Sequence, residues 1–262
     1  MKQVRAKKNL GQHFLNDQNI AIKIVDSLMC QSPKSVLEIG PGMGVLTKYL
    51  LNYPEVNLKL IEIDGESVEY LNGTYPALSG KVHFGDFLKI DINELFTDDF
   101  TVIGNFPYNI SSQIFFKVLD YKDRIPSVVG MIQKEVAERL ASPHGSKAYG
   151  ILSVLLQTFY DIEYLFTVNE GVFIPPPKVK SAVIRLTRNQ RTDIGCSWSL
   201  YKEIIKQAFN QRRKTMRNSL KSIIVPLGFD HEWMNRRPEQ MSVEDFIELA
   251  CIISKLREEK LE

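Results

Sequence analysis

The segment NFPYNIS, residues 105–111, follows the apolar run FTVIG and combines an amide, two aromatic rings and a proline. The Asn105 side-chain oxygen and the Phe106 main-chain carbonyl are two acceptors that could hold both N–H groups of an aromatic amine. Such a grip would pull the nitrogen toward tetrahedral geometry and aim its lone pair at an electrophile. Pro107 fixes φ beside that carbonyl, and Tyr108 offers a face on which an extruded base can stack. The segment therefore predicts alkylation of an exocyclic amine, such as that of adenine.

A glycine-rich turn followed by acidic residues indicates which molecule carries the electrophile. The stretch GPGMG, residues 40–44, follows the apolar run SVLEI, and glycine lets a backbone turn sharply against a ligand. Acidic residues end the next two apolar runs: Glu62 and Asp64, then Asp86. These carboxylates would repel a diphosphate, and the turn contains no lysine or arginine to offset them. A cofactor with ribose hydroxyls, a positive centre and no phosphate fits better, and we predict S-adenosylmethionine.

A parallel α/β sheet would bring these segments to one edge. Five apolar runs predict strands, at residues 35–40, 57–64, 81–88, 100–108 and 127–133. Helical spacing separates them at residues 45–52, 65–75 and 111–122. Strands that alternate with helices are typical of a parallel sheet, and such sheets bind ligands at the carboxyl ends of their strands. Two further runs, 162–168 and 181–188, follow each other without a clear helix and predict an antiparallel edge.

The chain is predicted to form two domains. Residues 187–199 are polar and aperiodic, as expected for a linker. We therefore predict a methyltransferase-type α/β domain with a basic N-terminal segment at 1–188, and a helical domain at 189–262. Residues 200–224 have one continuous helical pattern, and Ser242 with Asp245 resembles a capping box at the start of the last helix.

The composition is that of a globular protein and argues against membrane and metal-binding classes. The 262 residues are 44% hydrophobic and 24% charged, which is ordinary for globular domains. No apolar run reaches the roughly 20 residues of a membrane span, and the N-terminus lacks the apolar core of a signal peptide. We expect a cytoplasmic protein without a membrane partner. The three cysteines and four histidines are scattered along the chain, so we predict no metal site.

Two acid-free basic stretches stand out against a net charge of +2. The first precedes Asp17, the first acid of the chain, and contains Lys2, Arg5, Lys7 and Lys8. The second, residues 211–221, includes Arg213, Arg217 and Lys221, which recur every four residues and would share one helix face. Either stretch alone could be a solvated surface, but two together favour a polyanion held by its phosphates. We predict phosphate contacts from Lys7, Lys8 and the three spaced residues.

Seven motifs occur in the order found in a known family: KKNLGQHFLND, LEIGPGMGVLT, EID, GDFL, GNFPYNISSQI, FIPPPKVKSAVIRL and NQRRKTMRNSL. They closely resemble the KsgA/RsmA family of small-subunit ribosomal RNA adenine N6,N6-dimethyltransferases, over nearly the whole chain. The resemblance implies a Rossmann-like methyltransferase domain followed by a small helical domain. It also implies transfer of four methyl groups from S-adenosylmethionine to two adjacent adenosines, in the hairpin loop near the 3′ end of 16S rRNA. A role in small-subunit biogenesis and a monomeric protein are further expectations.

The resemblance also implies residue roles. Expected cofactor contacts are His13, Leu15, Gly40, Gly42, Glu62, Asp86 and Asn105, with Glu62 on the ribose and Asp86 on the adenine amine. Asn105, Phe106 and Tyr108 would hold the target base, and Phe173 would be a second aromatic ring opposite Tyr108. Many members have Asn in place of His13 and Leu in place of Phe106. The first departure leaves the contact of His13 open, whereas the second changes a residue expected to act through its backbone.

Three other functions share some of these features. A large-subunit rRNA adenine methyltransferase of the macrolide-resistance type would share the cofactor turn and the Asn-x-Pro-Tyr element. A DNA adenine methyltransferase would usually carry a separate sequence-reading domain, and none is visible in the sequence. A non-catalytic assembly factor would bind immature small subunits without methylating them, but it would have no need of the 105–108 element.

Overall fold

The computed structural model describes residues 4–260, and residues 1–3, including Lys2, and 261–262 lie outside the described part. The chain divides into two compact units. The first comprises the residues up to Ala137 together with Asp161–Arg188, and the second comprises Glu138–Tyr160 together with the residues from Asn189 onward. The second unit thus includes a segment that the sequence-based division at 188/189 assigns to the first domain, because helix Ile151–Gln157 packs against later helices.

A seven-stranded sheet forms the centre of the first unit. In chain order the strands of the described residues are β1 (Phe14–Leu15), β2 (Ser35–Ile39), β3 (Asn57–Glu62), β4 (Val82–Phe84), β5 (Thr101–Asn105), β6 (Ser127–Gln133), β7 (Tyr160–Val168), β8 (Phe173–Ile174) and β9 (Ser181–Arg188). Of these, β1 and β8 are not part of the seven-stranded sheet. The sheet order is β4-β3-β2-β5-β6-β9-β7. Strands β2, β3, β4, β5 and β6 are parallel to one another, and β9 is antiparallel to β6. This arrangement confirms the predicted α/β sheet with an antiparallel edge.

Three helices of the first unit lie within the segments that the sequence predicts to be helical: α2 (Thr47–Leu50), α3 (Gly65–Thr74) and α4 (Ser111–Asp120). The sequence analysis did not predict α1 (Gln18–Met29), or α5 (Lys134–Ala141), which runs on from β6 into the second unit. Asp17 caps α1 by accepting from the amides of Asn19 at 2.8 Å and Ile20 at 3.1 Å. Asp64 caps α3 by accepting from the Glu66 amide at 3.2 Å. Side-chain oxygens at these positions satisfy amides that a helix start leaves unpaired.

A second, two-stranded sheet joins the N-terminal segment to the end of the first unit. β1 pairs antiparallel with β8, with Phe14 opposite Ile174 and Leu15 opposite Phe173. Leu15 and Phe173 point into the hydrophobic core together. Strands of two residues have no measurable periodicity, so the sequence pattern did not reveal this pairing.

The second unit is helical. Its further helices are α6 (Ile151–Gln157), α7 (Trp198–Asn210), α8 (Met216–Ser219), α9 (Lys221–Leu227) and α10 (Val243–Glu259). The predicted capping box of α10 is confirmed: Ser242 Oγ accepts from the Asp245 amide at 3.0 Å, and Asp245 Oδ2 accepts from the Ser242 amide at 2.9 Å. Across residues 4–260, no helix is long and apolar enough to cross a bilayer.

The prediction of one continuous helix through residues 200–224 is wrong. The chain leaves α7 at Asn210 and restarts as the short helices α8 and α9. Thr215 adopts an extended conformation, and the Met216 amide donates to the Arg236 carbonyl at 2.8 Å. Tertiary packing of the fully buried Met216 side chain therefore overrides local helix propensity. Arg213, Arg217 and Lys221 consequently do not form a single helix face.

Candidate active site

A cavity opens at the carboxyl ends of the parallel strands in the first unit. Open α/β sheets bind ligands at this edge. Most of the residues predicted from the sequence line it together: His13, Gly40, Gly42, Glu62, Asp86, Asn105, Phe106 and Tyr108. The described lining contains no lysine or arginine. The cavity therefore combines carboxylates and an amide with a largely apolar wall.

Glu62 ties the glycine turn to the end of β3. Its side chain is buried, and Oε2 accepts from the Gly42 amide at 3.0 Å while Oε1 accepts from the Asp64 amide at 2.9 Å. Burial raises the pKa of the Glu62 carboxyl, and these backbone hydrogen bonds partly offset the shift. Each carboxylate oxygen can accept a further bond. Hydroxyl groups of a ribose could therefore bind without displacing the backbone contacts.

Two positions in the turn require glycine for different reasons. Gly40 has φ 63°, and a Cβ there would meet no atom within 4 Å, so any side chain would project into open space at the cavity wall. Gly42 has φ 56°, and its Cβ would lie 2.8 Å from the Phe14 ring. Positive φ also strains residues other than glycine. The turn is thus shaped to leave room for a ligand on one side and for Phe14 on the other.

The Asn105 amide is oriented by a main-chain carbonyl. Its Nδ2 donates to the His13 oxygen at 2.9 Å. A carbonyl can only accept, so the amide nitrogen must face His13 and Oδ1 must point the other way. The structure thereby assigns the amide orientation that leaves an acceptor available to a substrate amine.

The Phe106 main chain is held by a buried ring. Phe106 is 0% exposed, and its amide donates to the Met131 carbonyl at 3.0 Å. The ring fits over Gly104 and Gly130, which are partners on β5 and β6. A Cβ at Gly104 would lie 2.8 Å from the ring and one at Gly130 would lie 2.5 Å from it. The Phe106 side chain therefore anchors the carbonyl that the sequence predicts as the second acceptor.

Tyr108 is fixed at both ends of its side chain. Its hydroxyl hydrogen-bonds Ser181 Oγ on β9, and its ring lies 5.4 Å from the His13 ring, measured between centroids. Burial raises the pKa of the Tyr108 phenol, so the group stays protonated at neutral pH. His13 Nδ1 lies 2.8 Å from the Pro175 carbonyl, to which a protonated Nδ1 donates. The Tyr108 ring is thus held at the cavity as a neutral aromatic surface.

Other predicted residues lie away from this cavity. Leu15 is buried and lines a neighbouring cavity that also borders Gly40 and Gly42. Phe173 is 2% exposed and packs in the hydrophobic core, so the structure does not bring it to the cavity opposite Tyr108. The reason is its register opposite Leu15, which turns its side chain inward. Its role as a second stacking ring stays a prediction.

The predicted phosphate contacts differ in their surroundings. Lys7 pairs with Asp64 at 2.5 Å, and Arg217 pairs with Asp230 at 2.7 Å. Lys8, Arg213 and Lys221 are exposed. Asp64, which follows Glu62 at the end of the second apolar run, caps α3 and binds Lys7. The sequence could not show these pairings, because the two partners are 57 residues apart for Lys7 and 13 residues apart for Arg217.

One buried acid was missed by sequence reasoning. Glu38 on β2 is 1% exposed, and its Oε2 accepts from Thr47 Oγ1 at 2.7 Å. Burial raises the pKa of Glu38 to about 8; the Thr47 hydroxyl lowers it, and the charge of Glu62 raises it further. Glu38 also borders the cavity beside the glycine turn. The signal in the sequence was an acid inside the apolar run SVLEI.

The chain is similar to known proteins along most of its length. A family model described as ribosomal RNA adenine dimethylase matches residues 3–255. The chain belongs to this family. The curated protein named ribosomal RNA small subunit methyltransferase A from Cytophaga hutchinsonii is 58% identical over 256 residues, covering 97% of this chain and 99% of that protein. The protein of the same name from Porphyromonas gingivalis is 55% identical and covers 97% and 100%, respectively.

Solved structures agree with the fold. A dimethyladenosine transferase from Plasmodium falciparum superposes with a TM-score of 0.77 at 24% identity, covering 94% of this chain and 98% of that chain. The 23S rRNA methyltransferase ErmE superposes with a TM-score of 0.64 at 24% identity, covering 90% and 98%. At this identity the likeness supports the Rossmann-like methyltransferase fold and nothing finer.

The cavity suits S-adenosylmethionine, which is the cofactor of this enzyme. There is open space beside Gly40, and the carboxylates of Glu62, which is buried, and Asp86, which is partly buried, could accept hydrogen bonds from hydroxyl and amine groups of such a ligand. The described lining contains no cationic side chain that would serve a phosphate. The acidic lining therefore fits a cation without phosphate groups. Together with the family, this makes the enzyme an S-adenosylmethionine-dependent rRNA adenine dimethyltransferase.

The fit between Phe106 and Gly130 predicts a compensating pair of substitutions. Gly130→Ala places a methyl group 2.5 Å from the Phe106 ring, so we expect a loss of about 1–3 kcal/mol in the free energy of unfolding. A lower kcat should accompany it, because the Phe106 carbonyl shifts. Adding Phe106→Leu removes the clashing ring atoms and should restore both quantities. Denaturant unfolding and steady-state kinetics of a double-mutant cycle measure this, and strictly additive effects would contradict the fit.

Glu38 predicts a pH-dependent difference between wild type and Glu38→Gln. The folded protein keeps the Glu38 proton up to pH about 8, whereas the unfolded chain releases it near the ordinary value of 4.5. The protonated Glu38 side chain therefore contributes to the free energy of unfolding. This contribution is fully present below pH 4.5, and it is lost as the pH rises from there through about 8. The Gln variant lacks this dependence, so its stability relative to wild type should rise between these limits. Denaturant titrations without cofactor test this; parallel pH curves would refute it.

Proposed function

We propose that the enzyme methylates N6 of two adjacent adenosines in the 3′-terminal hairpin loop of 16S rRNA within the small ribosomal subunit. Support comes from curated relatives, 55–58% identical over nearly their whole length, that are named ribosomal RNA small subunit methyltransferase A. The observation that carries the chemistry is the Asn105 amide, whose nitrogen is occupied by His13 so that its oxygen remains for a substrate amine. A cytoplasmic location follows from this substrate.

The chain's own groups prepare the amine for reaction. Asn105 Oδ1 and the Phe106 carbonyl accept the two N–H groups of the adenine amine and draw its lone pair out of ring conjugation. The glycine turn, Glu62 and Asp86 would hold S-adenosylmethionine, whose cationic sulfur would carry the methyl group and whose product would be a neutral thioether. Attack therefore needs no strong base, and the product proton passes to water. Orientation supplies most of the rate gain, an effect that can reach roughly 7–11 kcal/mol in well-ordered systems.

The second methylation has a different requirement. After the first transfer one N–H remains, so only one of the two acceptors can be used in the same way. The new methyl group must rotate into free space while Tyr108 keeps the base stacked. The hydrogen bond between the Tyr108 hydroxyl and Ser181 Oγ keeps the Tyr108 ring in place during this rearrangement.

Extraction of an adenine from folded RNA costs a few kcal/mol and is easiest for unpaired loop bases. Phosphate contacts offset this cost and make binding salt-dependent. Lys8, Arg213 and Lys221 are exposed and suited to such contacts. We therefore infer that the RNA is held at several basic positions rather than along one helix. We also propose that the enzyme acts as a monomer.

A large-subunit rRNA methyltransferase is the second candidate, because ErmE shares the fold. The far higher identity to the small-subunit enzymes favours 16S rRNA. A role confined to binding immature subunits would leave the arrangement of Asn105 and Phe106 without a purpose.

Mass spectrometry of rRNA tests the proposal. Wild-type enzyme, labelled S-adenosylmethionine and unmethylated 30S or 50S particles should give dimethyladenosine in 16S rRNA alone. Asn105→Ala should retain binding to 30S particles but lower kcat by about a hundred-fold, because one acceptor is lost. Modification of 23S rRNA would contradict the substrate, and wild-type turnover by Asn105→Ala would contradict the mechanism.

A further inference from the structure

Residues 7–15 form one wall of the cavity, and we call them the N-terminal strap. Gln12, His13 and Phe14 of the strap line the cavity directly. The His13 carbonyl is the acceptor that orients the Asn105 amide. Any displacement of the strap would therefore release the amide and allow its oxygen to turn away from the substrate. The position of the strap is thus a condition for the chemistry.

The strap is attached at both ends. Its C-terminal end pairs with β8 through Phe14 and Leu15. Its N-terminal end is closed by a turn, in which the Lys7 amide donates to Gln12 Oε1 at 2.8 Å and the Gly11 amide donates to the Lys8 carbonyl at 3.1 Å. Gly11 has φ 64°, and a Cβ there would lie 2.5 Å from Asn109 Oδ1. The turn is therefore closely packed on the segment that follows Tyr108.

The side chain that anchors this turn is Lys7. Its Nζ lies 2.5 Å from Asp64 Oδ1 and 3.1 Å from Glu66 Oε1. The Asp64 side chain is 0% exposed, and it also accepts from Gln12 Nε2 at 3.4 Å and from Ser67 Oγ at 3.2 Å. Asp64 caps a helix directly after β3, so it is a rigid attachment point. Removing Lys7 would leave a buried carboxylate without its cation.

The electrostatics of the pair agree with its geometry. Hydrogen bonds to Asp64 and then Glu66 raise the pKa of Lys7. Burial raises the pKa of Asp64, but hydrogen bonds from Lys7 and Gln12 outweigh it and lower the pKa overall. Both groups are therefore charged at neutral pH. The Lys7 ammonium is occupied by carboxylates, which makes it a poor contact for an RNA phosphate.

We infer that the Lys7–Asp64 ion pair positions the strap, and through the His13 carbonyl the Asn105 amide, for methyl transfer. Lys7 is thus a positioning residue rather than the phosphate contact that the sequence predicts. The inference rests on the proposed function, since it concerns the rate of the same reaction. It separates Lys7 from Lys8, which is exposed and has no ion-pair partner within residues 4–260.

Four variants test this inference: Lys7→Met, Lys7→Arg, Asp64→Asn and the matched control Lys23→Met. Asn caps a helix about as well as Asp, so Asp64→Asn removes the charge but keeps the cap. Lys23 is an exposed lysine on α1, so its variant reports on the loss of a positive charge alone. Three quantities are measured: kcat at saturating substrates, 30S affinity as a function of salt, and hydrogen exchange of residues 7–15 without cofactor.

Lys7→Met and Asp64→Asn should each lower kcat by roughly ten- to a hundred-fold, because a misplaced catalytic group is costly. Exchange in the strap should become faster in both, while 30S affinity and its salt dependence stay as in wild type. Lys7→Arg should recover most of kcat, and Lys23→Met should match wild type in all three measurements.

Two results would overturn the inference. An unchanged kcat in Lys7→Met would show that the pair does not position the site. A salt dependence reduced by about one unit in log–log slope would show that Lys7 contacts a phosphate, whatever happens to kcat. Failure of the proposed function is distinguishable, because wild-type enzyme would then form no dimethyladenosine in 16S rRNA.

Discussion

The hydrogen bond from the Asn105 amide to the His13 carbonyl is the interaction on which the rest of the site depends. An amide has a donor end and an acceptor end, and only its surroundings decide which end meets the substrate. Here a carbonyl occupies the donor end, so the acceptor end remains for an amine. The buried Phe106 ring, the pairing of β1 with β8 and the Lys7 ion pair keep one or the other partner of this bond in place.

Both partners are supported by elements that are distant in sequence. Asn105 ends a buried strand, and the following carbonyl is fixed by the Phe106 ring over Gly104 and Gly130. His13 belongs to a segment held by pairing with β8 and by the Lys7 ion pair. The protein thereby brings a rigid sheet edge and an N-terminal segment to a common point. Precise placement of this kind is what orientation-driven catalysis requires.

Much of the site could be predicted from the sequence, because parallel strands end at one edge. The glycine turn, Glu62, Asp86 and Asn105 each follow an apolar run, and in the structure they line one cavity. Two details that escaped prediction depend on contacts between distant positions. The core position of Phe173 follows from a two-residue strand pairing, and the break after α7 follows from the burial of Met216.

The account is tested most directly by a crystal structure of the enzyme with S-adenosylhomocysteine and an RNA hairpin that contains the target adenosines. It predicts that adenine N6 lies about 2.7–3.2 Å from both Asn105 Oδ1 and the Phe106 carbonyl, with Asn105 Nδ2 still on the His13 carbonyl. An adenine amine bound elsewhere, or an Asn105 amide that has left the His13 carbonyl, would contradict it.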